Sequence, residues 1–470
     1  MDIYRVSSHT KHVGAGSTYV AIPGTKVNGL DFIAQAIEQG AQTIVVPRDA
    51  TLSSEITALC AKRGIELKRV EDPRAALAQL SAQAYGNPAD KLTLLAVTGT
   101  DGKTTSSYVL YHILKKAGKK VALLSGVQHM IGDEIYEADL TTEKPDYLHY
   151  FFDRCVRLGI QYVVMEVSAQ AHTMHRLDGL TFGGVIFTNL AREHGESYPK
   201  LEDYFAAKLA VIAHKKSDAP LVANIDAEWG QKVCSVHPDA LTSGFAAQAD
   251  GQVTILQETF QKQLLEITIG GKHILVETPL VGRYNAQNIA GVVMLAHQLG
   301  ISPEYMVQAL AEFTGAPGRL ERYALANGAL AIVDYGHTPQ AFQAVLPMLK
   351  KRARKLFVIF GAAGGKDTFK RPMMGKIAVA YADMVIVSMD NPRMEDPQRI
   401  AQEIMADLTV YERASVLVEL DREKAIRTAY SYSQEGDIIV ILGKGVETVQ
   451  IIGQKRVPYS DVAVVRSLTK

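Results

Sequence analysis

Leu94-Leu95-Ala96-Val97-Thr98-Gly99-Thr100-Asp101-Gly102-Lys103-Thr104-Thr105 is the stretch that decides the fold. An apolar run of strand character ends in a glycine loop. Lys103-Thr104 then open a segment with apolar residues at Val109, Leu110, Ile113, Leu114 and Ala117, the spacing of one helix face. A second short apolar run, Val121 to Leu124, follows. Strand, glycine loop, helix, strand is the context in which Gly-Lys-Thr reads as a phosphate site. Glycines let backbone N–H groups approach phosphate oxygens, and the helix N-terminus adds a partial positive charge. In this reading Gly99, Thr100, Asp101, Gly102, Lys103, Thr104 and Thr105 bind ATP. Lys103 reaches the β- and γ-phosphates and the Thr104 hydroxyl holds Mg²⁺. The spacing is not that of the common G-x-x-x-x-G-K-[ST] loop, because position 97 is Val97. The bland alternative is an ordinary glycine turn before a helix.

The chain has 470 residues, too long for one core, and length alone predicts about three domains. Acidic and basic residues balance at 50 each, so no global field favours nucleic acid or an anionic membrane. No apolar run is long enough to span a bilayer. The start, Met1-Asp2-Ile3-Tyr4-Arg5, has no basic region followed by an apolar one, the pattern of a signal peptide. Cys60, Cys155 and Cys234 form neither a metal spacing nor a disulfide framework. A monomer in a reducing cytoplasm, handling small-molecule substrates, is the expectation.

Working outward from the loop, the first 85 or so residues alternate short apolar runs with helical patterns: Thr18 to Ile22, Phe32 to Ile37, Thr43 to Val46. They predict a small α/β domain. Tyr85-Gly86-Asn87-Pro88 marks a boundary, since proline disfavours helix in the residue before it. Tyr162 to Val167 is a β-rich run carrying Glu166, a carboxylate that is costly to bury unless a cation compensates it. Val253 to Leu256, Leu264 to Ile269 and Ile274 to Val276 predict antiparallel strands extending the central sheet at one edge. Asn285 and Asn288, three apart, share a face of the helix that follows, where they bind nucleotide or simply cap and pack. Gly315-Ala316-Pro317-Gly318 is the best linker. Beyond it, strands at Leu330 to Val333, Leu356 to Phe360, Met384 to Val387, Val416 to Val418 and Ile438 to Leu442 alternate with helices. Ligands bind beyond the carboxyl ends of such strands.

The loop Thr98-Gly-Thr-x-Gly-Lys-Thr104 resembles that of the Mur ligases and of their folylpolyglutamate synthetase relatives. Further motifs follow in family order. The resemblance implies three α/β domains: a small N-terminal uridine-nucleotide domain (1–88), a central P-loop-type doubly wound ATPase domain (89–314) and a C-terminal Rossmann-like amino-acid domain (315–470). Thr141-Thr142, Ser168 and Arg176 match positions that hold the acyl part of the substrate, and Ser8 matches the nucleotide site. Here Ser7-Ser8-His9 stands where the family has Asp-Ser-Arg, and Glu143 replaces a proline. Asn189-Leu190-x-x-Glu193-His194 and Tyr204-x-x-x-Lys208 match segments in which His194 adjoins a second Mg²⁺ and Lys208 is carbamylated. By the same resemblance the metal set is Thr104, Glu166, His194 and carbamylated Lys208, with Lys103, Glu166, His194 and Lys208 catalytic. Asn285, Asn288, Arg319, Asp334 and His337 complete the ATP contacts.

In the C-terminal domain Arg371, Asp390-Asn391-Pro392-Arg393, Gly443 and Glu447 match the amino-acid site of the branch that adds meso-diaminopimelate, where the second arginine of the set meets a carboxylate. An arginine fork reads a carboxylate bidentately and rejects a ligand lacking one. Val446 stands for a histidine of that branch. The implied activity is ATP-dependent addition of this amino acid to a UDP-N-acetylmuramoyl-dipeptide through an acyl phosphate. L-Lysine or another carrier, a folylpolyglutamate synthetase-like reaction, and a non-catalytic scaffold remain as alternatives.

Overall fold

The computed structural model describes residues 2–24, 27–193, 195 and 197–469. Its three α/β domains each hold a sheet of their own. The first carries four parallel strands in chain order, Val6–Ser7, Thr18–Val20, Thr43–Pro47 and Glu66–Val70. Helices Ile33–Glu38 and Ser54–Arg63 cover one face, and Pro73–Ala84 covers the other.

The central sheet has eleven strands. Thr93–Thr98 lies in its middle, between Tyr162–Glu166 and Phe182–Phe187, all parallel. Period-two alternation sends Leu94 and Ala96 into one apolar layer with Phe151 and Phe152. Leu95 and Val97 enter the opposite layer with Val109, Leu110, Ile113 and Leu114 of helix Lys103–Lys116. From Thr98 the chain goes to Val121–Leu124 on one side, then returns past its start to Phe182–Phe187, Leu221–Asn224 and Leu241–Gly244 on the other. The glycine loop therefore sits where the winding reverses, which is where a doubly wound sheet leaves a crevice. The predicted antiparallel edge is present as Gly251–Glu258, Gln263–Ile269 and Lys272–Thr278. A hairpin at the opposite edge, Gln128–Ile131 with Glu134–Glu137, has too few apolar residues to be read from sequence.

The third sheet orders its six strands as Glu321–Ala324, Leu330–Asp334, Ile438–Leu442, Leu356–Phe360, Met384–Val387 and Val416–Val418, the first antiparallel to the rest. The Arg422 guanidinium grips both oxygens of buried Asp461 (2.8 and 2.9 Å) and donates to the Leu442 carbonyl, fastening the last helix, Asp461–Arg466, beneath this sheet. A separate hairpin, Val449–Ile452 with Lys455–Pro458, follows the strand Ile438–Leu442. Among the described residues no helix is long and apolar enough to cross a membrane.

Candidate active site

The loop conformation explains its glycines. Gly99 (φ 148°) and Gly102 (φ 85°) lie in the region that side chains disfavour. A Cβ at Gly99 would stand 1.9 Å from Thr188 Oγ1, and one at Gly102 2.4 Å from Asn288 Oδ1. The end of the neighbouring strand pins the loop from outside. Asn189 accepts from the Asp101 N–H (2.9 Å) and donates to the Asp101 carbonyl (3.0 Å), which Thr188 Oγ1 also reaches (2.6 Å). No side chain caps helix Lys103–Lys116, so its first-turn N–H groups face the loop, ready for an anion. Lys103 Nζ donates to the carbonyls of Gly99 (3.0 Å) and Thr100 (2.6 Å), so its ammonium sits within the curl of the loop.

Thr104 joins three segments. Its hydroxyl donates to Glu166 Oε2 (3.1 Å) and accepts from Arg319 (2.9 Å) across the domain boundary. Glu166 is buried and its other oxygen accepts the Gly126 N–H (3.0 Å). Burial pushes the Glu166 carboxyl above its ordinary range, against the pull of Lys103 and Arg319. Asp101 is pushed up in the same way, by burial and then by Glu193. A hard divalent cation fits here. The donors are a carboxylate and a hydroxyl, and a carboxylate pushed up by burial is one that lacks enough positive charge. No cluster of three or more His, Cys, Asp or Glu side chains that could hold a metal occurs among the described residues. Mg²⁺ needs none, since it is usually held by one or two carboxylates together with substrate phosphates.

Lys208 is buried on helix Leu201–Ile212 with Nζ 2.7 Å from the Gly99 carbonyl and 4.7 Å from the centre of the Tyr204 ring. Desolvation, reinforced by Lys103, holds its amine far below the ordinary lysine range. An ammonium cannot ligate a metal, but a neutral amine fits the carbamylation that the sequence resemblance implied. His194, named with it, lies outside the described residues.

A cavity of about 590 Å³ opens between the central and C-terminal domains. Of the residues expected to contact ATP, Asp101, Gly102, Thr104, Thr105, Asn285, Asn288, Arg319 and Asp334 line it, and Gly99, Thr100, Lys103 and His337 do not. Asn285 donates back to the Val281 carbonyl (2.8 Å), whereas Asn288 abuts Gly102. Asp334 is a loop organiser: its oxygens accept from the N–H groups of Gly336 (2.6 Å) and Leu320 (2.9 Å). His337 pairs with Glu193 (2.8 Å) of the central domain. Asn224, Asp226, Gln287 and Gln340 also line the cavity, with Gln287 donating to Asp226 (2.6 Å). Sequence reasoning missed these four, because single polar residues far apart in the chain carry no local pattern.

The acyl-side residues converge on Glu166 from the other direction. Thr142 Oγ1 donates to the Glu166 carbonyl (3.1 Å) and accepts the Ser168 N–H (3.0 Å), while Arg176 donates to the Thr142 carbonyl (2.6 Å). Thr141 packs against Gly126. Ser8 stands apart, donating through its N–H (2.7 Å) and hydroxyl (3.0 Å) to Asp146 on the central domain.

The residues expected at an amino-acid site gather near strand ends of the C-terminal sheet. Buried Lys444 donates to Asn391 Oδ1 (3.1 Å), Glu447 Oε2 (2.7 Å) and the Val449 carbonyl (2.9 Å), using all three of its protons. Asn391 in turn donates to Glu447 (2.8 Å). Lys444 was visible in the Gly443-Lys444-Gly445 motif but was not singled out. Gly443 (φ 110°) passes so close to Asp390 that a Cβ would stand 2.9 Å from its carboxylate. Arg393 donates to the Gly364 carbonyl (3.2 Å). Arg371 differs from expectation: its guanidinium is engaged by Glu395 (2.8 Å) and Glu403 (2.6 Å), so it braces the site from within the protein.

A glycine loop at a sheet's switch point, facing a second α/β lobe across a nucleotide-sized cavity, defines an enzyme that works on a phosphorylated nucleotide between two lobes. Comparison with known proteins takes this further. Residues 2–85 match the model described as "Mur ligase family, catalytic domain", 97–296 "Mur ligase middle domain" and 318–445 "Mur ligase, glutamate ligase domain". The chain is 33% identical over 465 residues to a protein of Aquifex aeolicus (98% of this chain, 93% of that one). It is 36% identical over 473 residues to one of Parabacteroides distasonis (100% and 95%). Both are named UDP-N-acetylmuramoyl-L-alanyl-D-glutamate--2,6-diaminopimelate ligase. A solved structure of a ligase with that name is 26% identical, with a TM-score of 0.65 over 99% of this chain and 94% of that one. The MurF ligase of Thermotoga maritima in complex with ADP, 21% identical, shares the fold (TM-score 0.69, 93% of each chain). The chain belongs to the Mur ligase family and is an ATP-dependent amide-bond ligase.

Proposed function

We propose that the chain adds meso-diaminopimelate to UDP-N-acetylmuramoyl-L-Ala-D-Glu, forming ADP and phosphate, in peptidoglycan synthesis. The observation that carries this reading is the sharing of Glu166. Its backbone carbonyl holds Thr142 on the acyl side while its carboxylate holds Thr104 of the phosphate loop. An acid held by Thr141, Thr142, Ser168 and Arg176 would therefore meet the γ-phosphate.

In the proposed reaction a carboxylate oxygen of D-Glu attacks the γ-phosphorus and the bond to ADP breaks, giving an acyl phosphate. Lys103 and Arg319 offset charge on the transferring group. Mg²⁺ would supply further positive charge there, with Thr104, Glu166, the carbamate of Lys208 and, for a second ion, His194 as the residues to hold it. The free amine of diaminopimelate then attacks the acyl carbon, phosphate leaves with the bonding pair, and the amine loses a proton. Arg393, Asn391, Asp390, Gly443 and Glu447 would seat the amino acid, braced by Arg371. Closure of the two lobes excludes water, which would otherwise hydrolyse the acyl phosphate. A monomer acting in the cytoplasm on these small-molecule substrates belongs to the same reading.

Phosphate release is the test. It is expected to require both UDP-N-acetylmuramoyl-L-Ala-D-Glu and meso-diaminopimelate. Release indifferent to either compound overturns the assignment, and L-lysine serving equally well overturns the role of Arg393.

A further inference from the structure

Arg393 is one of four non-glycine residues among those described that have a positive φ (54°). Such a backbone is disfavoured for a residue with a side chain and persists only where its surroundings over-determine it. For the Arg393 backbone those surroundings are one element. In the Val449–Pro458 hairpin the Ile451 carbonyl accepts the Arg393 N–H (2.9 Å), and the Gly453 N–H donates to the Arg393 carbonyl (2.6 Å). The Ile451 N–H donates to the Asn391 side chain (2.9 Å). Gln450 is buried, and its amide donates both protons to the carbonyls of Met389 and Asp390 (3.1 Å each). From Met389 to Arg393, every residue but Pro392 is thus bonded to this hairpin. The hairpin lies beyond residue 445, where the family match ends.

We propose that the Val449–Pro458 hairpin is a specificity-setting splint, with Gln450 its positioning residue. It holds Arg393 in the one backbone state that aims its fork at the distal carboxylate of the amino-acid substrate. The inference rests on the function proposed above. Gln450 touches no reacting atom; it acts through the Asp390–Arg393 loop. Its chemistry is specific, because two carbonyls in a buried setting need a side chain with two donors. Glutamate has the same shape and would set oxygen against oxygen.

The experiment is steady-state kinetics of the full-length wild type, Gln450→Glu and Gln450→Met, with each substrate varied in turn. In both variants the KM for meso-diaminopimelate is expected to rise about tenfold or more. The KM values for ATP and the uridine nucleotide stay as in the wild type, and the preference for diaminopimelate over L-lysine shrinks by a similar factor. An unchanged diaminopimelate KM overturns the inference. A parallel rise in all three KM values, or unfolding of both variants, also overturns it, since the contact is then only structural. Wild-type enzyme that ignores diaminopimelate overturns the functional reading itself, a result distinct from any behaviour of the variants.

Discussion

Lys208 is a residue whose surroundings work against its charge. Its burial beside Gly99 and the repulsion of Lys103 both disfavour the charged form, the direction that the proposed reaction with CO₂ requires. Activity is therefore expected to fall reversibly in CO₂-depleted buffer and to return with bicarbonate. Lys208→Met would be indifferent to both treatments and lower in kcat by about 10²–10³, the loss typical of removing one group that stabilises developing charge. Phosphate release measured across a bicarbonate titration checks this. A variant with wild-type kcat would show that the amine is packing alone. That Tyr204 and Lys208 fall one turn apart on a helix was legible in the sequence segment. What the segment could not supply was the Gly99 carbonyl, more than a hundred residues away.

At the scale of elements, the strands of the C-terminal sheet were the easiest to read. Leu356–Phe360, Met384–Val387 and Ile438–Leu442 are continuous apolar runs because helices cover both faces of the sheet. The hairpin at Val449–Pro458 and the edge strand Glu66–Val70 escaped because their strands mix apolar and polar residues and are largely exposed, which leaves no clean alternation to read. Helix Pro145–Arg157 shows what pattern conceals. It buries His149, and desolvation alone pushes that imidazole down to about 4. The unfolded chain protonates its histidine first as pH falls, so the stability this residue permits is complete above pH about 6.5 and is lost on the way down to 4. His149→Gln should flatten that acid limb by on the order of 2–4 kcal/mol. Urea midpoints at several pH values measure it, and parallel acid limbs in the two proteins would refute it.

For the whole molecule, the decisive contacts lie between lobes. Arg319 reaches Thr104, His337 reaches Glu193, and the Arg192 guanidinium lies 5.2 Å from the centre of the Phe369 ring. The last of these touches none of the proposed substrate residues and so reports on closure. An exposed cation–π contact is worth about 0.5–1 kcal/mol, so Arg192→Ala should lower kcat by about two- to fivefold. The scattering-derived radius of gyration of the ligand-free enzyme should increase. Equal radii would mean that this contact does not hold the lobes together.

The left-handed backbone at Arg393 has a consequence for anyone evolving the protein. Glycine would relax that position for free, so selection for heat resistance alone rewards losing the guanidinium. Under the role proposed for Arg393, libraries ranked by melting temperature would drift toward sturdy proteins that no longer tell a diamino dicarboxylic acid from its decarboxylated cousin. Robustness and discrimination pull against each other at this one residue.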